Sequence, residues 1–129
     1  MTDHLPLQEN FAMWYSYISI NLEKDNAITA QVTTDPQSPW FKGHFPNDPI
    51  LPGIAQIHMV TETIAKVLQK DLSLQSLTRI KFKKIIRPGD ILDIHAMAGK
   101  IDNQYSFRIT SKQEDVCSGR LVLAPTQEQ

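Results

Sequence analysis

A single cysteine, Cys117, stands among 129 residues, so no disulfide can form within the chain. A lone thiol fits a reducing compartment. A dominant charge is missing too: 13 Lys and Arg against 14 Asp and Glu give a formal net charge of -1. No global field then draws the chain to nucleic acid or to a membrane surface. No apolar run approaches the roughly 18 residues of a transmembrane helix. The opening MTDHLPLQENF lacks a basic n-region and an apolar stretch, so no secretory signal is expected and the cytoplasm is the default location. Internal repeats and low-complexity segments are absent. Residues 1–8 and the tail from Pro125 read as loose ends. The length suits one domain over residues 1–129, of a size whose core is often helped by oligomerisation.

What is present is an ordinary globular balance, 41% apolar and 21% charged, with a strong pattern. Residues 13–22 are rich in aromatic and β-branched side chains and read as a strand, with Trp14, Ile18, Ile20 and Leu22 sharing a parity. Glu23–Asn26 is a turn, and 27–34 is a second strand with Ile28, Ala30 and Val32 on one face. Residues 35–40 are loop. Pro52-Gly53 opens a helix, since proline is tolerated in a first turn. Ile54, Ile57, Ile64, Val67 and Leu68 recur at helical spacing, and Ala55, Met59, Val60 and Ala65 widen the apolar surface. So much apolar surface predicts a buried central helix, ending near Gln69-Lys70.

Leu72–Gln75 reads as a linker. Strands follow at 77–86, 91–99, 104–111 and 116–124, with Pro88-Gly89-Asp90 as a turn. Tyr105, Phe107 and Ile109 alternate cleanly, as do Cys117, Gly119, Leu121 and Leu123. One helix among about six strands cannot serve several parallel crossovers. The pattern predicts an α+β architecture, a mostly antiparallel sheet wrapped around one long central helix.

The segment GHFPNDPILPGIAQIHM, residues 43–59, places a histidine in a rigid proline- and glycine-rich loop at the mouth of that helix. Phe41, Gly43, His44, Phe45, Pro46, Pro49, Ile50, Pro52 and Gly53, with Ile80, Phe82 and Arg87-Pro88-Gly89-Asp90 further on, resemble the bacterial β-hydroxyacyl-acyl carrier protein dehydratases of the hotdog-fold superfamily. The resemblance spans roughly residues 27–124; the N-terminal segment departs from it, without that family's His-Arg pair before the first strand. It implies a homodimer with two sheets joined edge to edge, open to further assembly, and an acyl tunnel at the interface. The substrate is then a 3-hydroxyacyl thioester on acyl carrier protein or coenzyme A, converted to a trans-2-enoyl thioester. No cofactor is implied, and neither nucleic acid nor a membrane is an expected partner.

Residue by residue, His44 maps onto the catalytic histidine. The position where that family carries a carboxylate is His58 here. Phe45, Pro52, Gly53 and Ile54 would line the substrate's path, with the Gly53 N–H polarising the thioester carbonyl at the helix N-terminus. Dehydration needs one group to take a proton and one to give a proton. Two imidazoles can do this only in different protonation states. Glu62, at i+4 from His58, shares its helix face and would orient it and raise its pKa. The plainer reading of His58 is a buried polar residue satisfied by Glu62 or by a backbone carbonyl.

Arg79, Lys81, Lys83, Lys84 and Arg87 form a basic run with two readings: the solvated face of an edge-side strand, or a dock for an acidic acyl carrier protein or coenzyme A phosphates. Trp40 and Phe41 fit either the acyl tunnel or the core. Cys117 alternates with core leucines and reads as a small buried hydrophobe, and His95 as a surface residue. No histidine pair has familiar zinc spacing, so a metal is not expected. Two other functions stay open on the same fold: a thioesterase with Glu62 or His58 as base, and a non-catalytic acyl-thioester-binding subunit.

Overall fold

The computed structural model describes residues 15–35 and 51–126. Strand β1 (Tyr15–Leu22) pairs antiparallel with β2 (Ile28–Thr34) across a tight turn. The turn is closed by the Glu23 N–H on the Ala27 carbonyl at 2.7 Å, and Asn26 takes the left-handed conformation (φ 66°) that asparagine tolerates. On β2, Ile28, Ala30, Val32 and Thr34 are buried, the alternation read from the sequence.

β1 differs from its expected parity. Its register slips between Tyr17 and Ser19, leaving Ile18 as a bulge residue. Tyr15 and Tyr17 face inward before the bulge and Ile20 after it, while Ile18 and Leu22 are exposed. Trp14 lies outside the described residues, as do residues 36–50 with His44, Phe45, Trp40 and Phe41.

Helix α1 (Gly53–Leu68) follows, with Pro52 as its N-cap and not its first-turn residue. The Pro52 carbonyl accepts from the N–H groups of Ala55 and Gln56. Gln69 caps the other end in the left-handed region. Eight of the sixteen helix residues are buried, among them Ile57, Met59, Val60 and Ile64, which makes α1 the central helix the sequence predicts. Among the residues left toward solvent, Ile54, His58, Glu62 and Lys66 form one stripe at i+4 spacing.

β3 (Leu72–Phe82), β4 (Ile91–Ala98), β5 (Gln104–Ser111) and β6 (Glu114–Pro125) complete a six-stranded sheet in the order β1-β2-β4-β5-β6-β3, antiparallel throughout. Leu92, Ile94, Ile109, Leu121 and Leu123 pack under the helix with Cys117. Leu72–Gln75 is therefore strand and not linker, because it pairs with the end of β6 at Leu123–Pro125. Residues 83–86 fall outside β3, where the chain turns toward Arg87-Pro88-Gly89-Asp90.

A second bulge shapes β3. Thr78 pairs with Arg120 and Lys81 with Ser118, so Arg79 and Ile80 together face Gly119, with Arg79 at φ 56°. This places Ile80 in the space a Gly119 side chain would fill: a Cβ there would overlap Ile80 Cδ1 and sit 3.1 Å from Phe107 Cε1. Ile80 and Phe82 keep the expected alternation: Ile80 packs on the core and the Phe82 ring lies against Gly53, although Phe82 stays half exposed.

The turn before β4 fastens the head of the helix. Thr34 is buried; its hydroxyl donates to the Arg87 carbonyl at 3.3 Å and accepts from the Gly89 N–H at 2.9 Å. Gly89 takes φ +85°, and the Asp90 carboxylate accepts from the Arg87 N–H at 2.8 Å. One residue upstream of this turn, the Ile86 carbonyl accepts from the Leu51 N–H at 2.8 Å, directly before the Pro52 cap. Among the described residues no helix is long and apolar enough to cross a membrane.

Gly119→Ala is expected to cost about 1–3 kcal/mol in urea denaturation by overpacking. Adding Ile80→Val, which removes the overlapping methyl, should recover part of that loss.

Candidate active site

The sheet curls so far around α1 that both of its edge strands border one cleft. Tyr15–Tyr17 of β1 form one wall, Leu72–Leu74 of β3 the other, and the i+4 stripe of α1 the floor. The cleft has a volume of about 1100 Å³. Ile54, His58 and Glu62, all singled out from the sequence, share it. Pro52 and Gly53 stand at the head of the helix, about one and a half turns from His58. The space beside Gly53 is filled by the Phe82 ring: a Cβ on Gly53 would lie 2.6 Å from Phe82 Cζ. His44 and Phe45 lie outside the described residues.

His58 Nε2 is 3.3 Å from Glu62 Oε2. The hydrogen bond to Glu62 raises the imidazole above its ordinary value, against a smaller opposing effect of burial. For Glu62, burial alone pushes the carboxyl upward, but the hydrogen bonds from His58 and Tyr15 together outweigh it and hold it below the ordinary value. The His58 side chain is 56% exposed, so it is not the buried polar residue of the plainer sequence reading.

The sequence reading missed Tyr15. Its phenol donates to Glu62 Oε1 at 2.6 Å, from the inward face of β1. Beside it, Tyr17 Oη lies 3.0 Å from Thr63 Oγ1, and the Lys66 ammonium sits 5.8 Å from the Tyr17 ring centroid. The i+4 spacing of His58 and Glu62 was readable. Tyr15 was not, because its orientation is set by the bulge at Ile18.

The five basic residues do not act as one patch. Lys83 pairs with Asp115 at 3.5 Å, and Lys84 with Glu114. Arg79 and Lys81 instead line a second groove of about 740 Å³ with Arg108, Arg120 and His95. These side chains alternate with the core residues of their strands, on the sheet face turned away from α1. Burial pushes the Cys117 thiol up to about 12, which keeps it an inert core residue.

A curled antiparallel sheet wrapped around one helix, with a cleft between its edges, defines a hotdog-fold protein. The chain belongs to the ApeI-like family: the family model described as ApeI dehydratase matches residues 20–120. It is similar to the 3-hydroxyacyl-[acyl-carrier-protein] dehydratase FabZ of Rickettsia akari, 30% identical over 110 residues, 79% of this chain and 72% of that one. The same enzyme of Lactobacillus helveticus is 32% identical over 112 residues, 79% of this chain and 74% of that one. Among solved structures, the dehydratase heterocomplex ApeI:P from Xenorhabdus doucetiae superposes with a TM-score of 0.75 at 28% identity, covering 84% of this chain and 96% of its own. A hypothetical thioesterase protein with coenzyme A from Streptococcus pneumoniae shares the fold alone, with a TM-score of 0.59 at 13% identity, over 95% of this chain and 98% of that one.

The pair makes stability depend on pH in a defined window. His58 is raised, so its contribution is full below the ordinary imidazole value of about 6.5 and is lost as pH rises through its folded value. Glu62 is lowered, so its contribution is full above the ordinary carboxylate value of about 4.3 and is lost as pH falls through its folded value. Thermal melts of His58→Gln against the unaltered protein should therefore differ most near pH 5.5 and converge above pH 9. The difference should stay under about 1 kcal/mol, because an exposed pair is well screened.

Proposed function

We propose that this chain dehydrates 3-hydroxyacyl thioesters carried on acyl carrier protein, giving trans-2-enoyl thioesters in a fatty-acid-like biosynthesis. The observation that carries the proposal is His58 in the cleft, hydrogen-bonded to Glu62, at the position to which the sequence resemblance assigns the second catalytic group. In this reading the two imidazoles divide the work. His44 is neutral and takes the proton from C2 of the substrate. His58 is protonated, held so by Glu62, and gives its proton to the C3 hydroxyl, which leaves as water. The N–H of Gly53, at a helix start where backbone donors have no intrahelical acceptor, polarises the thioester carbonyl. Pro52 and Ile54 flank that carbonyl, and Phe45 follows His44 in the sequence.

Assembly belongs to the same proposal. β3 is an eleven-residue edge strand with exposed Leu74, Leu77 and Phe82, a surface that favours pairing with a second hotdog chain. A homodimer is the simplest form. A second reading has a different hotdog chain supplying the carboxylate, and the solved neighbour from X. doucetiae, itself a heterocomplex, supports it. Of the basic run, Arg79 and Lys81 carry the carrier-docking proposal, since Lys83 and Lys84 already pair with acids.

Crotonyl thioesters on acyl carrier protein and on coenzyme A test the chemistry. Loss of the enoyl absorbance without thiol release is expected, with a fall of at least about 100-fold in His44→Ala. Thiol release would replace the proposal with the thioesterase. Silence from the isolated chain, with turnover restored by a second hotdog chain, would favour the mixed assembly.

Docking has its own test. Lys81→Glu should raise KM for the carrier-borne substrate on the order of tenfold more than for the same acyl group on pantetheine, and the gap should narrow at high salt.

A further inference from the structure

Glu62 is held at both oxygens by different partners. Tyr15 donates to Oε1 at 2.6 Å, and His58 Nε2 stands 3.3 Å from Oε2. The Tyr15 end is dry, with that residue 6% exposed, whereas the His58 end opens on the cleft at 56%. One end of the carboxylate is thus fixed by the sheet while the other meets the group at work.

A hydroxyl has one proton, and the neighbours of Tyr15 settle where each proton goes. Thr63 donates to the Met59 carbonyl at 2.8 Å, so its oxygen accepts from Tyr17 at 3.0 Å. The proton of Tyr17 is then spent on Thr63, and that of Tyr15 goes to Glu62. Burial first, then the nearness of Tyr17 and Glu62, pushes the Tyr15 phenol far above its ordinary value, so it stays a donor at every usable pH.

We propose that Tyr15 is a positioning residue for His58 and acts through Glu62. The phenol pins one carboxylate oxygen so that the other stays on Nε2, and the imidazole presents Nδ1 to the substrate hydroxyl. The part played by substrate rests on the proposed function; the pinning of Glu62 does not. Without the pin, His58 and Glu62 form a half-exposed i,i+4 pair, and such pairs are mobile and weak. Glu62 would turn toward water and His58 would lose the acceptor that keeps it charged. Among the described residues, the other charged or titratable groups on the cleft are Tyr17, Lys66, Lys70 and Asp71. Lys66 lies against the Tyr17 ring, and Asp71 accepts from Thr126 at 3.4 Å. Among the described residues, Glu62 is the one charged group in contact with His58.

The test is an NMR titration of the His58 imidazole in the full chain, with Tyr15→Phe, Glu62→Gln and the double variant. Phenylalanine keeps the packed ring and removes only the donor. The His58 midpoint should fall in Tyr15→Phe toward the ordinary value of about 6.5. It should fall in Glu62→Gln as well, and adding Tyr15→Phe to Glu62→Gln should move it no further. In turnover, kcat of Tyr15→Phe at pH 8 should drop on the order of tenfold, with KM changed by less than about twofold. A midpoint unmoved or raised in Tyr15→Phe overturns the proposal. So does a further fall in the double variant, which would mean that Tyr15 reaches His58 by another route. If the chain turns over no hydroxyacyl thioester, the proposed function fails while the titration still decides the role of Tyr15.

Discussion

The structure depends on enclosing a sixteen-residue helix within a single sheet. Half of the helix is buried against strands, so its side chains there must be apolar or hydrogen-bonded. Of what remains, Ile54, His58, Glu62 and Lys66 form one stripe spaced four residues apart. The charged and titratable groups of α1 all fall on that stripe, and on it a histidine and a carboxylate one turn apart meet. The contact between His58 and Glu62 is therefore a consequence of how completely the sheet wraps the helix. The same wrapping brings the first and last strands of the sheet to opposite walls of one cleft. Tyr15, nearly fifty positions upstream, arrives at Glu62 by that route alone.

The head of the helix is placed with similar economy. Arg87-Pro88-Gly89-Asp90 lies far along the chain from Pro52-Gly53, yet Leu51 bonds to Ile86 and Thr34 bonds to both Arg87 and Gly89. The two proline- and glycine-bearing segments close around the end of β2. A residue that bonds to two sides of a turn with one hydroxyl fixes it without a cavity or an unpaired polar group. This accounts for the joint appearance of the two segments in the sequence: one starts the helix, and the other holds the strand end beside that start.

Most of the fold was legible, because burial on one face forces alternation and burial on most faces forces an apolar helix. β2, β4, β5 and β6 follow that rule, as Ile28, Leu92, Ile109 and Leu121 show. One failure has a plain physical cause. At Ile18 an extra residue shifts the register of β1, so the side chains on its two sides fall on different parities. Period-two counting from Trp14 must then go wrong. Leu72–Gln75 failed for a related reason: an edge strand paired on one side carries exposed residues on both faces and has little pattern to detect. In the candidate site, the i+4 pair was readable because it lies within one helix. The phenol that completes it was not, since its direction depends on a bulge. The basic run looked like one patch in the sequence, and the structure divides it because Asp115 and Glu114 claim Lys83 and Lys84.

A histidine at position 58 does not empty the cleft of negative charge. Glu62 stands one turn further along the same stripe, about 5.4 Å along the axis. The carboxylate stands a turn behind, and an imidazole occupies the forward position. A carboxylate there gives up a proton only if burial raises it, whereas an imidazole backed by a carboxylate carries its proton near neutral pH. Glu62 stays ionised in this arrangement because two donors, Tyr15 and His58, satisfy its two oxygens. A buried phenol suits the rear position, since it neither ionises nor competes for the proton. The pair keeps close to zero net charge when His58 is protonated, so a partly buried acid can exist in the cleft without an unpaired ion. That balance, set by three side chains from two elements, lets a protonated histidine stand in the cleft.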